Sequence, residues 1–206
     1  MDIVLASHNR HKITEMEQLL HSVFPSVRLL SLDDIGFAQE IAEDGQTFED
    51  NALIKARAVT RLGYIGIADD SGLAVDALGG APGVYSARYA GEPCDDRKNN
   101  LKLLDKLADV AEQKRSARFV SVIAIAFPDA PQRDFTVRGE CEGRILTAFA
   151  GDGGFGYDPL FYVPQMHKTF AQMSFDEKNQ VSHRARAMAA FAEKCRQNAW
   201  MRELWK

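Results

Sequence analysis

Apolar and polar positions follow two different periods along the chain, and the pattern predicts both strands and helices. A short apolar run at 3–6 indicates a buried strand, and apolar residues at helical spacing from Ile13 to Val23 indicate a helix soon after it. A second apolar run at 27–30 predicts another strand. The chain is therefore expected to open with a strand, a loop and a helix, and the loop between them is the segment SHNR at 7–10.

The pattern predicts a further helix and strand between residues 47 and 72. Thr47 is followed three residues later by Asp50, which is typical of a capped helix start, and an apolar stripe at 52–62 stops at Gly63. The next segment, IGIADDSG at 65–72, predicts a buried strand that ends in acidic residues. We therefore expect a second helix that leads into a third strand.

The second half of the chain predicts a long loop, a pair of strands and two more helices. Residues 72–91 are rich in Gly and Ala and indicate a long loop or broken helix, and spaced leucines at 101–107 indicate a helix. Two β-rich segments at 118–127 and 135–142 predict an antiparallel hairpin, and Ser182 is expected to cap a last helix that reaches Trp200. With no internal repeat, the prediction is an α/β fold with a mixed sheet in a single domain, 1–206.

Composition and charge argue against several classes of binding partner and of site. The chain has 206 residues, 46% of them hydrophobic, and a net charge of −4, which indicates no general attraction to nucleic acid or to anionic membranes. Three widely spaced cysteines argue against a disulfide framework and against a zinc site, and they fit a reducing cytoplasm. No run approaches the roughly 18 apolar residues of a membrane span. We expect a cytoplasmic protein that is neither exported nor inserted into a membrane.

The hexapeptide SHNRHK, at 7–12, lies where the first strand meets the first helix. Unpaired N–H groups and the positive end of the helix dipole form an anion site at such a junction, and Lys12 adds a full charge. The alternative is a helix cap with surface basic residues, because the segment lacks the glycines of a nucleotide-binding loop.

The acidic pair Asp69 and Asp70 is the second candidate. Ligands of α/β sheets bind at the carboxyl ends of strands, and two hard oxygens suit Mg²⁺, which takes its other ligands from water and substrate phosphates. Glu43 and Asp44 could complete an acidic cluster. The alternative is a turn in which Asp and Ser cap backbone groups.

Three further segments carry candidate ligand-binding side chains. Lys55 shares a helical face with Asn51, although a surface position is the commoner fate of a lysine. The segment DEKNQVSHRARA places basic side chains near a helix start, where they could bind a carbonyl edge or simply be solvated. The loop GDGGFGYDP could let a base stack on Phe155 or Tyr157, or its two rings could close a small hydrophobic core.

Together these segments describe a hydrolase for a nucleoside triphosphate, and their order along the chain resembles the inosine/xanthosine triphosphate pyrophosphatase family. The matching blocks are S-x-N-x-x-K at 7–12, T-F-x-x-N-A-x-x-K-A at 47–56, A-D-D-S-G-L-x-V-D-x-L-G-G-x-P-G-x-Y-S-A-R-Y at 68–89, G-G-F-G-Y-D-P-x-F at 153–161 and E-K-N-x-x-S-H-R at 177–184. Five ordered blocks of consecutive identities make the resemblance highly specific.

The resemblance implies a homodimeric, two-lobed α/β fold with a central mixed twisted sheet and the active site in the cleft between the lobes. It also implies Mg²⁺-dependent hydrolysis of ITP, dITP and XTP to the monophosphate and pyrophosphate, which would remove altered purines from the nucleotide pool.

The resemblance also implies roles for individual residues. Asp70 is the expected general base and a metal ligand, Glu43 a second metal ligand and Asp69 a supporting residue. The stretch QEIAEDG leaves Glu40 as an alternative to Glu43, and Glu43 is preferred for its distance to the Thr47 block. The residues expected to bind the triphosphate or the base are Ser7, His8, Asn9, Arg10, His11, Lys12, Lys55, Ser71, Phe155, Gly156, Tyr157, Asp158, Lys178, His183 and Arg184.

Base selectivity follows from purine position 6, which is a carbonyl acceptor in hypoxanthine and xanthine and an amino donor in adenine. A donor on His183 or Arg184 would therefore accept the first two bases and reject adenine. Two other classes stay open from the sequence: a related pyrophosphatase for modified pyrimidine or other altered nucleotides, and a non-catalytic nucleotide-binding regulator.

Overall fold

The computed structural model describes residues 2–205. Within these residues the strands are β1 (Asp2–Leu5), β2 (Arg28–Ser31), β3 (Ile65–Val75), β4 (Ser116–Ala126), β5 (Phe135–Ile145), β6 (Phe161–Val163) and β7 (Lys168–Thr169). The helices are α1 (Arg10–Val23), α2 (Phe48–Thr60), α3 (Asp96–Lys106), α4 (Phe175–Val181), α5 (His183–Gln197) and α6 (Ala199–Leu204).

The strands form one mixed sheet in the order β2-β1-β3-β4-β5-β6-β7. Strand β1 pairs in parallel with β2 and β3, whereas β6 pairs antiparallel with β5 and β7. The parallel strands are joined through helices, as parallel pairing requires. The predicted α/β fold with a mixed sheet is confirmed.

Local sequence explains where the first two helices begin. Asn9 caps α1 by accepting a hydrogen bond from the Lys12 N–H, and Thr47 caps α2 by accepting one from the Asp50 N–H. Each cap satisfies one of the N–H groups that a helix start leaves without an intrahelical partner. Both helices lie where the hydrophobic pattern predicts them.

Two predicted element boundaries are wrong. Strand β3 continues past the acidic pair as far as Val75, so the predicted long loop begins only after that residue. The last helix is divided at Asn198, whose backbone is extended and whose side-chain amide donates to the Lys194 carbonyl. Such a side-chain bond competes with the helical backbone pattern and explains the break. The pattern also gave no sign of α4, β6 or β7.

The chain divides into two compact units, and strands β3, β4 and β5 each contribute residues to both. The first unit comprises the chain up to Asp70, Ser121–Gly139 and the chain from Arg184 onward; its core includes Ile3, Met16, Leu20, Ile67, Ile123 and Phe191. The second unit comprises Ser71–Val120 and Glu140–His183; its core includes Leu73, Leu103, Phe119, Tyr157, Phe161 and Phe170. Among residues 2–205, no helix is both long and apolar enough to cross a membrane.

Candidate functional site

Asp69 and Asp70 lie in the middle of β3, and both are buried, with 2% and 5% of the residue surface exposed. The prediction that the strand ends at these acids is wrong. Buried charge is tolerated in a strand when it is paired and hydrogen-bonded, and both carboxylates have such partners. Because successive strand residues point to opposite faces, the two acids have different surroundings.

Asp69 is held by donors on both of its carboxylate oxygens. The Ser121 hydroxyl donates to Oδ1 over 2.6 Å, while Arg184 Nη2 and Lys12 Nζ lie 3.1 and 3.3 Å from Oδ2. Burial alone would raise the pKa of Asp69, but the charges of Arg184 and Lys12 outweigh it and hold that pKa well below its usual range. Asp69 is therefore a fixed anion that organises two cations.

Arg184 extends this network to α1, where it donates to the carboxylate of Glu15. The guanidinium is almost fully buried, with 1% of the residue exposed, and its two acidic partners raise its pKa although burial opposes that change. The network joins the start of α5 to β3 and to α1. Sequence reasoning missed Glu15; its position three residues after Lys12, on the same helical face, is the only local signal.

Asp70 pairs with Lys55, whose Nζ lies 2.7 Å from Asp70 Oδ1, 3.1 Å from the Asp69 carbonyl oxygen and 3.3 Å from Glu43 Oε1. Burial raises the pKa of Asp70 and outweighs the nearby Lys55 charge. Burial also acts to raise the pKa of Glu43, but Lys55 and Lys12 lower it further than burial raises it. The pKa of Asp70 thus rises from its ordinary value, whereas that of Glu43 falls.

Lys55 reaches β3 because α2 packs unusually close to that strand. A Cβ atom built on Gly66 of β3 would lie 2.1 Å from the carbonyl oxygen of Ala56, so no other residue fits there without moving the helix. The side chain of Lys55 is buried, in contrast to the surface position that most lysines occupy. Its burial desolvates the ammonium, yet Asp70 and Glu43 keep its pKa above the ordinary value.

The acidic loop before α2 brings Glu43, and not Glu40, to this lysine. Glu40 is exposed, whereas Glu43 is half-buried and lies against Lys55. The loop is held by Asn51 of α2, a fully buried residue whose Oδ1 accepts the Gly45 N–H over 2.8 Å. Asn51 is a second residue near the acids to which sequence reasoning gave no role of its own.

The segment Ser7–Lys12 forms the turn into α1. The Ser7 hydroxyl accepts the Asn9 N–H over 3.1 Å, and His8 Nδ1 lies 3.2 Å from Asp33 Oδ1. Lys12 points its ammonium to Asp69, and burial lowers its pKa below the ordinary lysine value. The remaining basic side chains of the turn, Arg10 and His11, are exposed.

The carboxylates in the first unit fit a Mg²⁺ ion whose remaining ligands come from phosphate and water. Within residues 2–205 no group of three or more His, Cys, Asp or Glu side chains converges as a metal site. Glu43 and Asp70 interact through their side chains beside Lys55, and Mg²⁺ commonly uses only one or two carboxylates together with substrate phosphates. Asp69 has three donors on its oxygens, whereas Glu43 and Asp70 share the ammonium of Lys55, so Glu43 and Asp70 are the better candidates for binding a metal.

The second unit holds an aromatic and polar group on the glycine-rich loop. Asp158 Oδ2 accepts the Phe155 N–H over 3.1 Å and the Lys178 ammonium over 2.8 Å. Lys178 Nζ also lies 5.2 Å from the centre of the Phe155 ring, within the range of a cation–π contact. Phe155 is half-buried, and one face of its ring lies against the Lys178 ammonium.

The two aromatic rings of the loop have different positions. Tyr157 is buried in the core of the second unit, and its hydroxyl donates to the Ser86 carbonyl over 2.8 Å. Phe155 is the ring that keeps exposed surface. His183 is also buried, with its imidazole stacked on Phe119 at a centroid distance of 4.7 Å. Ser71, the first residue of the second unit, is half-buried in β3 directly after Asp70.

Comparisons with known proteins show the family to which this chain is similar. The chain matches the family model described as the Ham1 family over residues 3–194. It is 49% identical over 193 residues to the dITP/XTP pyrophosphatase of Bacillus anthracis, covering 93% of this chain and 95% of that protein. It is 50% identical over 189 residues to the dITP/XTP pyrophosphatase of Desulforamulus reducens, covering 91% and 92%. The solved Staphylococcus aureus Ham1 protein is 40% identical and superposes with a TM-score of 0.85, covering 96% of this chain and 99% of that one.

Proposed function

Because this chain belongs to the Ham1 family, we propose that it hydrolyses ITP, dITP and XTP to the nucleoside monophosphate and pyrophosphate. Relatives that are about half identical over nearly the whole chain carry the name dITP/XTP pyrophosphatase. The observation that carries the proposal is the contact of buried Lys55 with buried Asp70 and half-buried Glu43, together with the ion pair between Lys12 and Asp69. Carboxylates for a metal and ammonium groups for phosphates are what phosphoryl transfer requires.

The triphosphate is assigned to the first turn of α1, to Lys12 and to Lys55. Backbone N–H groups and the helix dipole favour an anion at the start of α1, and Lys12 lies in that turn. Lys55 donates to the Asp70 carboxylate and to the Asp69 carbonyl oxygen, and its charge can counter the charge that develops on a departing pyrophosphate. Anions are thus held locally by a chain whose net charge is −4.

Asp70 is assigned as the general base. Of the two β3 acids, Asp69 has both oxygens engaged by Ser121, Arg184 and Lys12, and a proton acceptor needs an available lone pair. Asp70 would take the proton of a water that attacks the α-phosphorus. The bond from that phosphorus to the bridging oxygen breaks, and pyrophosphate leaves with the bonding electron pair while Lys55 and Lys12 offset its charge.

Glu43 and Asp70 would hold Mg²⁺. When bound, the ion neutralises phosphate charge and polarises the phosphoryl oxygens. Lys55 lies beside both carboxylates, so its charge favours the ionised form of each.

The base is assigned to the aromatic group of the second unit. The half-buried ring of Phe155 offers a stacking face, and Lys178, already paired with Asp158, offers a donor to a carbonyl oxygen. His183 and Arg184 are further candidates for donating a hydrogen bond to purine O6. The buried ion pairs of Arg184 give it a structural role as well.

A homodimer and a cytoplasmic location complete the proposal. Light scattering is expected to give a mass near twice the 22.9 kDa of one chain. Within residues 2–205, Cys94, Cys141 and Cys195 form no disulfide, which suits a reducing compartment.

Replacing Phe155 with Ala is expected to lower kcat/KM for ITP by about one to two orders of magnitude, because stacking of a base on an aromatic ring is lost. Steady-state pyrophosphate release measures the effect. Phe149→Ala is the matched control, since Phe149 is an exposed aromatic residue of the same unit. Equal losses in both variants would argue against a specific stacking role for Phe155.

The deciding experiment is pyrophosphate release from ITP, XTP, dITP, GTP, ATP and CTP, with Mg²⁺ and with EDTA. We expect fast turnover of the first three, release of pyrophosphate and not of phosphate, and no turnover with EDTA. Preference for CTP would point to a pyrimidine pyrophosphatase. Nucleotide binding without turnover of any substrate would indicate a non-catalytic nucleotide-binding regulator and would refute the assignment of Asp70 as general base.

A further inference from the structure

Gly156, in the middle of the aromatic loop, is held on both sides of its backbone by helix α3. Asp96 Oδ2 accepts the Gly156 N–H over 2.7 Å, and Asn100 Nδ2 donates to the Gly156 carbonyl oxygen over 2.7 Å. Asp96 and Asn100 are four residues apart and so lie on one face of α3, one turn from each other. Two side chains thus form a clasp around one residue of the loop.

Asn100 is itself held in place within α3. Only 2% of its surface is exposed, and its Nδ2 also donates to the Asp96 carbonyl over 2.7 Å. Gly156 adopts a φ of +60°, a conformation that other residues rarely adopt and that a glycine leaves readily when nothing restrains it. The hydrogen bonds from Asp96 and Asn100 therefore restrain the backbone at Gly156, which the glycine itself leaves flexible.

Phe155 lies between this clasp and a second restraint. Its own N–H is bound by Asp158, and the next residue is bound by α3. On the far side, the buried hydroxyl of Tyr157 is bound to Ser86. The backbone around the half-buried ring is thus held at Phe155 from within the loop, and at Gly156 by two hydrogen bonds from α3.

We propose that Asp96 and Asn100 are positioning residues that hold the Phe155 ring as a preformed platform for the purine base. This inference rests on the proposed function. Neither residue need touch the nucleotide: they act through the backbone of Gly156. A preformed platform avoids the entropic cost of ordering a flexible loop when the base binds. Loss of the clasp should therefore weaken binding of the base. The residues of the first unit that are assigned to the phosphates should be unaffected.

The test separates the base from the phosphates. In the full-length protein, Asp96→Ala is expected to weaken IMP binding, measured by calorimetry, and to raise KM for ITP, each by about tenfold. The value of kcat should change by less than about twofold. Inhibition of ITP hydrolysis by inorganic tripolyphosphate, which has no base, should keep its inhibition constant. Asp96→Asn retains an acceptor oxygen and should restore near wild-type values.

Asp105→Asn is the matched control, because Asp105 is an exposed acid of the same helix. Asn100→Ala should behave as Asp96→Ala does; if its buried position prevents folding, the exposed Asp96 decides the question alone. Unchanged IMP binding in Asp96→Ala would overturn the inference. A parallel weakening of IMP and tripolyphosphate would also overturn it, since that indicates general disruption. Failure of the wild-type protein to bind IMP and to cleave ITP would instead refute the proposed function, and the inference with it.

Discussion

Asp70→Asn is expected to reduce ITP turnover by about 10²–10⁴-fold, the usual contribution of a general base. Asparagine keeps an oxygen that can accept the Lys55 hydrogen bond, and Glu43 stays beside the ammonium to balance its charge. The fold and much of the nucleotide affinity should therefore persist. The rate of pyrophosphate release measures the turnover, and calorimetry with IMP measures the nucleotide affinity.

Asp134→Asn provides a control for loss of a buried carboxylate in the same unit, because Asp134 pairs with Arg57 and lies apart from β3 in sequence. It should retain kcat and change stability alone. A rate for Asp70→Asn close to that of the wild-type protein would exclude Asp70 as the base. Equal losses in the two variants would attribute the effect to stability.

Arg184→Met is expected to lower the free energy of unfolding by about 3–5 kcal/mol. The substitution leaves Asp69 and Glu15 without their shared buried cation, and a buried charge that loses its partner is costly. Urea unfolding followed by circular dichroism measures the change. Arg196→Met is the control on the same helix: its pair with Glu193 is exposed, so the expected loss is at most about 1 kcal/mol.

Two outcomes of this comparison are informative. Equal stability of the Arg184→Met and wild-type proteins would contradict the structural role of the buried network. The ratio of ITP to ATP turnover, measured in Arg184→Met and in His183→Ala well below their unfolding temperatures, tests the separate base-reading role. Unchanged selectivity in both would remove these two residues from base recognition and leave Lys178 as the donor.

Local interactions explain what was predictable in the fold. The caps at Asn9 and Thr47 involve residues three positions away, and periodicity shows which face of a helix is apolar. These signals suffice for α1 and α2. They fail for β6 and β7, which have only three and two residues, too few for a period to be visible. They also fail at Asn198, where a single side-chain bond to Lys194 ends the helix.

The candidate site was predictable as a set of residues and not as an arrangement. The five blocks contain Lys12, Lys55, Asp69 and Asp70, which the structure groups in one unit. The supporting residues Ser121, Glu15 and Asn100 lie outside the roles that the motifs suggest. Nothing local distinguishes a serine in an apolar strand or an asparagine on a helix until the partner is known.

The α/β class, the first helices and the family could be predicted from the sequence, because capping, periodicity and ordered motifs are properties of nearby residues. Three features became visible only in the folded chain: β3 runs through its two acids, Tyr157 is buried in the core while Phe155 keeps exposed surface, and α3 binds the loop at Gly156. The pairs responsible are distant in the chain: Arg184 is 115 residues from Asp69, Tyr157 is 71 from Ser86, and Asn100 is 56 from Gly156. Whether a buried charge or polar group is stable depends on such partners, and only the folded chain brings them within hydrogen-bonding distance.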